Sequence, residues 1–328
     1  ESKALQHLLI ANRGEIAIRI ARAAAEVGMQ TTAVFAEDDG ESLHVRRADN
    51  AVQLAGVGPA AYLDIDGIVA AAKDCGADAI HPGYGFLSEN ADFGRAVGAA
   101  GLTYIGPSPE ALGTFGDKAK ARALAIASNV PVVKGTEGPT DFAGARKFFD
   151  SLGSDGAVMV KAVAGGGGRG MRPVTDAADL EEAMTRCQSE AEAAFGDGGV
   201  YLEQLVQSAR HVEVQVAADQ HGNVHVLGDR DCSLQRRRQK IVELAPAPAL
   251  STAQRDALWK HAAAITKAAD YTSLGTVEFL LGSDGTLAFI EFNARLQVEH
   301  TVTEAVTGLD LVHLQFEIAK GGDLSALD

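Results

Sequence analysis

The sequence predicts an α/β (α+β) chain of two or three subdomains, and three observations predict it. Its 328 residues exceed what one simple core holds. The opening stretch reads strand, helix, strand, the pattern of a right-handed βαβ unit of Rossmann type. Further along, apolar or alternating runs are separated by turn residues such as Asp284-Gly285, as in antiparallel hairpins. Hydrophobic residues make up 46% and charged residues 22%, ordinary values for a soluble globular protein.

The charge narrows the partners. With 29 Lys and Arg against 44 Asp and Glu, the net charge is −15, which disfavours nucleic acid and anionic membrane surfaces as general partners. A phosphate-rich ligand would require cations gathered locally. No signal peptide and no bilayer-spanning apolar run is apparent, so a cytoplasmic setting is expected. Cys75, Cys187 and Cys232 are odd in number, far apart and without CxxC spacing, which suggests neither a disulfide framework nor a zinc site.

Residues 8–11 read as a short apolar strand, Asn12-Arg13-Gly14-Glu15 as a turn, and the Ala/Ile-rich run to about Val27 as a helix. Residues 31–35 form the second strand. Only one of the three glycines of GxGxxG is present in the turn, so the fold is retained and a dinucleotide site is rejected. A helix over 62–75 and a strand over 77–80 follow. The loop 81–90 then leaves the carboxyl end of its strand, where open α/β sheets place ligands. This first subdomain closes near residue 114.

Asp117 is placed to cap a helix over 118–128, with Lys118 in its first turn. Residues 158–162 read as a strand, and Gly165, Gly166, Gly167 and Gly168 follow between Lys161 and Arg169. Successive glycines let backbone N–H groups converge on phosphate oxygens; without a closing GK[ST], this is not a Walker loop. Strand 171–174 turns the run into a hairpin tip able to close over a ligand, and a helix over 179–194 completes a lid subdomain of about 132–204. In strand 200–206, Glu203 offers an acceptor to the exocyclic amine of a flat base. Strand 211–216 puts His211, Glu213 and Gln215 on one face.

The run 229–240, rich in arginine and ending at Lys240, supplies the local cations and suggests an anion pocket. Strand 275–280 carries Glu278, and the Asp284-Gly285 turn brings it back toward Glu291. Two such carboxylates repel unless a cation lies between them, and oxygen ligands point to Mg²⁺ or Mn²⁺. If residues 289–299 are extended, Glu291, Asn293, Arg295, Gln297 and Glu299 share one face, and Ile290, Phe292, Ala294, Leu296 and Val298 the other. Together these features describe a phosphoryl-transfer site of a non-Walker kind.

On IANRGEIA (10–17), HPGYGFLSEN (81–90), KAVAGGGGRGM (161–171), RDCSLQRR (230–237) and FIEFNARLQVEH (289–300), the chain resembles the biotin carboxylases, ATP-grasp enzymes, over essentially its whole length. The resemblance implies a Rossmann-like domain over 1–114 followed by an ATP-grasp domain over 115–328. It assigns ATP phosphates to Lys118, Lys161 and Gly165 to Gly168, and the nucleoside side to Glu203, Leu205, His211, Gln235 and Leu280. Glu278, Glu291 and Asn293 would organise the metals. Lys240, Arg295, Gln297 and Val298 would hold bicarbonate, with Glu299 as general base and Arg295 stabilising the biotin enolate.

The implied reaction carboxylates biotin through carboxyphosphate, in concert with a biotin carboxyl carrier domain and an acyl-CoA carboxyltransferase, and the full-length form is expected to be a homodimer. Arg238 stands where many relatives have histidine, and Ala294 and Thr301 where Thr or Pro is common. The family chain normally continues beyond the position of Asp328, so this chain is expected to be a fragment whose biotin pocket is incomplete. The rival readings are another carboxyphosphate-forming ligase of the carbamoyl-phosphate synthetase type and a nucleotide-binding fragment. Dependence on ammonia or on biotin separates the two enzymatic readings.

Overall fold

The structure is a computed structural model and describes residues 4–153, 156–163, 170–206, 208–236 and 239–327. The first strands and helices run β1 (His7–Ile10), α1 (Gly14–Glu26), β2 (Gln30–Phe35), α2 (Leu43–Arg47), β3 (Asn50–Gln53), α3 (Ile65–Asp74), β4 (Ala79–His81), α4 (Ala91–Ala99) and β5 (Thr103–Tyr104). They build a parallel sheet of order β3-β2-β1-β4-β5. Leu8, Leu9 and Ile10 are all fully buried, as a parallel strand covered on both faces requires. The helix expected over 62–75 is instead a 3₁₀ turn over 58–63 followed by α3, because the Asp64 side chain accepts from Gly67 N and starts a new helix there.

Strand order reverses at β1, so the turn after β1 and the loop after β4 leave the same edge together. Asn12 ties them, its Nδ2 donating to Pro82 O at 2.7 Å and Tyr84 O at 2.8 Å. Gly83, at φ +65°, lies so close that a Cβ there would be 2.8 Å from Asn12 Nδ2.

The chain continues with α5 (Pro109–Phe115), α6 (Lys118–Ala127), α7 (Phe142–Ser151), β6 (Val158–Ala162), β7 (Met171–Val174), α8 (Leu180–Phe195) and β8 (Val200–Gln204). Asp117 caps α6 as expected, accepting from the backbone N–H of Ala119 and Lys120. Strands β7-β6-β8 make a small antiparallel sheet, with α7 and α8 supplying Ala145, Phe149, Leu180 and Met184 to its core. The glycine run that should tip this hairpin, Gly165 to Gly168, lies outside the described residues.

The last part comprises β9 (Arg210–Ala218), β10 (Val224–Arg236), β11 (Gln239–Leu244), α9 (Thr252–Ala268), β12 (Ser273–Leu281), β13 (Leu287–Asn293), α10 (His300–Thr307) and α11 (Leu311–Ala319). Its antiparallel sheet runs β11-β10-β9-β12-β13. Period-two alternation sends Val212, Val214, Val216, Val277 and Phe279 into a core shared with Leu258, Ala262 and Ile265 of α9. Glu213, Gln215, Thr276 and Glu278 take the opposite face. Phe115 stacks on Phe292 at 4.0 Å, seating α5 against β13. A second core joins α1 to Leu311, Val312, Phe316 and Ile318 of α11, locking the parallel sheet to the antiparallel one. The expected α/β (α+β) architecture, a parallel-sheet unit followed by antiparallel sheets, is borne out.

Residues 289–299 are not one strand: β13 ends at Asn293, an irregular segment follows, and α10 begins at His300. Ladder pairing passes from Glu278↔Glu291 to Phe279↔Phe289, so Ile290 is bulged out and the period-two reading is already broken inside β13. Beyond Asn293, burial of Ala294 and Leu296 in two different cores turns the backbone out of the ladder. Val298, expected on the apolar face, is 60% exposed, whereas Gln297 and Glu299 are buried.

Candidate active site

Glu213 and Glu278 are register partners on β9 and β12, and both carboxylates face away from the apolar core. Lys240, at the start of β11, reaches across β10 to meet them. Its Nζ donates to Glu213 Oε2 at 2.6 Å, Glu278 Oε1 at 2.9 Å and Glu299 Oε1 at 2.7 Å. An ammonium has three donors, and here each finds a carboxylate. In the run 229–240, where an anion pocket is expected, the cations are placed differently from one another. Lys240 and Arg230 are engaged by carboxylates, Arg236 is exposed, and Arg237 and Arg238 lie outside the described residues.

Glu278 is the hub. Its Oε1 also accepts from Asn293 Nδ2 at 2.8 Å and Gln297 Nε2 at 3.1 Å, and its Oε2 is 2.6 Å from His211 Nε2. Gln235 Nε2 lies 2.9 Å from the other ring nitrogen of His211, and Leu280 is the register partner of His211 on β12. Burial alone would raise the Glu278 pKa, but His211 and Lys240 hold it well below the carboxylate range. Glu299 is lowered as well, chiefly through Lys240, while the three carboxylates raise Lys240 itself.

Glu291 behaves oppositely. It is the register partner of Glu278 in the hairpin and is exposed to solvent. Protein crowding and the Glu278 charge raise its pKa, and Lys118 opposes the rise. Glu278 and Glu291, paired in register, and the side-chain oxygen of Asn293 are hard-oxygen groups of the kind a divalent cation such as Mg²⁺ takes.

Arg295 lies in the irregular segment. Its Nη2 donates to Asn293 Oδ1 at 2.9 Å, and its Nε donates to Glu89 Oε2 at 3.0 Å. Glu89 lies in the loop that leaves β4, so the parallel-sheet unit contributes directly to this network.

On the other side, Val132 and Gly135 bridge to Phe289 and Glu203, attaching the β7-β6-β8 sheet beside β13. Lys161 and Glu203, expected at opposite ends of a nucleotide, are ion-paired with each other. Leu205 follows β8, half-buried, with its N–H donating to Ala157 O at 2.8 Å. Burial pushes the Tyr201 phenol up, and the charges of Glu203 and Glu291 add to the rise.

The structure thus gathers His211, Gln235, Lys240, Glu278, Asn293, Arg295, Gln297 and Glu299 into one network. Sequence reasoning missed Glu213, Arg230 and Glu89 as members. Glu213 was visible in the 211–216 alternation, and the other two lie inside the motifs 230–237 and 81–90; nothing local distinguishes them from surface charges.

Residues 117–327 match the family described as "Carbamoyl-phosphate synthase L chain, ATP binding domain", and residues 4–112 match "Biotin carboxylase, N-terminal domain". The first match alone leaves the rival ligase open, and the second separates the two. This chain belongs to the biotin carboxylase family. Its second domain is of the ATP-grasp kind.

Among biotin carboxylases of known structure, that of Campylobacter jejuni superposes with a TM-score of 0.93 at 43% identity, over 98% of this chain and 72% of that one. The biotin carboxylase domain of Hydrogenobacter thermophilus 2-oxoglutarate carboxylase gives 0.91 at 42% identity, over 98% and 71%; its structure is described as a dimer with MgADP and bicarbonate. Mouse mitochondrial pyruvate carboxylase is 48% identical over 330 aligned residues, and the chain spans 28% of its length.

Proposed function

We propose that this chain uses ATP to activate bicarbonate and carboxylates biotin, serving as the biotin carboxylase part of a biotin-dependent carboxylase. The observation that carries this reading is the Lys240 ammonium held by Glu213, Glu278 and Glu299, with Arg295 alongside. Lys240 and Arg295 are the cations that a small oxyanion would meet, Gln297 adds an amide donor, and Val298 lends backbone beside them. Glu299, kept ionised by Lys240, is ready to accept the bicarbonate proton. When an anion draws on the Lys240 charge, Glu299 loses part of its stabilisation and becomes a stronger base.

Deprotonated bicarbonate attacks the terminal phosphorus of ATP, giving carboxyphosphate and ADP. Carboxyphosphate then passes its carboxyl group to the ureido nitrogen of biotin, and the released phosphate carries off the N–H proton that the nitrogen gives up. The residues act mainly by positioning and charge, which is how phosphoryl transfer is catalysed. Glu278, Glu291 and Asn293 would hold Mg²⁺ or Mn²⁺, which when bound neutralises charge on the phosphates. Lys118, Lys161 and the 165–168 glycines would take the phosphates, and Glu203, Leu205, His211, Gln235 and Leu280 the nucleoside. Arg295 would stabilise the biotin enolate.

The partners proposed are a biotin carboxyl carrier domain, a carboxyltransferase and a second copy of the chain. The acceptor, an acyl-CoA or a 2-oxo acid, is chosen by the transferase. We assign the enzyme to the cytoplasm, an aqueous compartment supplied with ATP and bicarbonate. The test is ATP hydrolysis with Mg²⁺ and bicarbonate, with and without free biotin. Bicarbonate-dependent turnover stimulated by biotin is expected; ammonia-dependent turnover that ignores biotin would refute the reading.

A further inference from the structure

We propose that Arg230 is a positioning residue for the anion site: by engaging the Gln297 side-chain oxygen it keeps that amide's amino group turned toward Glu278 and the substrate. This rests on the functional reading above. Arg230 has no solvent exposure. Its Nε donates to Glu213 Oε1 at 2.5 Å, and its Nη1 to Gln215 Oε1 at 2.8 Å and Thr303 Oγ1 at 2.7 Å. Its Nη2 donates to Thr276 Oγ1 at 3.3 Å and Gln297 Oε1 at 2.7 Å. The five guanidinium donors therefore meet five acceptors.

The two ends of a glutamine amide have nearly the same shape, so the neighbours decide which end points where. A guanidinium accepts nothing, so only the oxygen of Gln297 can face it. The amino group is left for Glu278 Oε1 at 3.1 Å. Reversing the amide would set donor against donor and oxygen against carboxylate at once. The same guanidinium occupies one oxygen of Glu213, which leaves the other for Lys240. Because its acceptors lie on β9, β12, the 294–299 segment and α10, Arg230 also fixes where that segment lies over the sheet.

Lysine at 230 would keep a positive charge near Glu213 but lose the fork that reaches Gln297. The experiment measures KM for bicarbonate and KM for MgATP separately in bicarbonate-dependent ATP hydrolysis. It compares wild type, Arg230→Lys, Gln297→Ala and the double variant. Arg230→Lys should raise the bicarbonate KM by about tenfold or more while the MgATP KM stays within about twofold. In the Gln297→Ala background it should add clearly less than in the wild type, because the side chain through which it chiefly acts is gone. Equal losses for both substrates, an unchanged bicarbonate KM, or additive losses in the double variant would overturn the proposal.

Should Arg230→Lys fail to fold, Thr303→Val removes one acceptor without changing charge. It should raise the bicarbonate KM in the wild-type background and clearly less in Gln297→Ala; no change in the wild type, or an equal rise in both, overturns the proposal. Wild type lacking any bicarbonate-dependent turnover would overturn the functional reading itself, and this proposal with it.

Discussion

Replacing Lys240 by methionine isolates what one ammonium does for three carboxylates. The side chain keeps its length and apolar stem but loses the contacts of 2.6, 2.9 and 2.7 Å to Glu213, Glu278 and Glu299. Removing one partner of a buried ionic cluster costs about 3–5 kcal/mol, because the remaining charges are left uncompensated. The pH dependence carries the sharper test. In the wild type, Glu278 and Glu299 are lowered, so their stabilisation is fully present above the unfolded glutamate pKa of about 4.3 and is lost as pH falls below it.

In Lys240→Met the clustered carboxylates should rise above their unfolded value. The folded state then binds more protons than the unfolded one, and stability grows as pH falls from neutral toward about 5. Urea unfolding of both proteins from pH 8 to 5 should show a gap of about 3–5 kcal/mol that narrows with acidification. A gap constant across that range would refute the cluster electrostatics, whatever its size.

Glu299→Gln should lower bicarbonate-dependent turnover by about 10²–10⁴-fold and leave nucleotide affinity nearly unchanged, measured by steady-state kinetics and nucleotide titration. Equal loss of both would remove Glu299 from the role of base. His81 is fully buried and held neutral, with its pKa pushed down to about 4 from 6.5. The folded state binds fewer protons than the unfolded one between these values, so stability is present above 6.5 and falls as pH drops toward 4. His81→Gln should flatten that acid limb in thermal melts. Asp117→Ala should destabilise by about 1 kcal/mol through loss of the α6 cap, lowering the melting temperature without changing bicarbonate dependence.

Legibility followed range. Asp117 as a cap, the 158–162/171–174 hairpin and the pairing of Glu278 with Glu291 all rest on interactions a few residues long or on a single turn, and the structure has each of them. The stretch 289–299 failed because alternation was extended past the residue where two separate cores capture Ala294 and Leu296. Charge was the hardest to read. The run 229–240 is basic along the sequence, but Arg230 is wholly buried while Arg236 is exposed, and that sorting depends on what β9, β12 and α10 place opposite each position.

From the sequence alone came the two kinds of sheet, the family and the residue types of the site, because propensity, period and motif are local properties of the chain. The tertiary structure decided the pairing of those residues: Lys240 among three carboxylates, Glu89 with Arg295 from another sheet, and Arg230 behind Gln297. Such partners are far apart along the chain, up to 206 residues for Glu89 and Arg295. Their charges become strong interactions only where folding excludes water from between them.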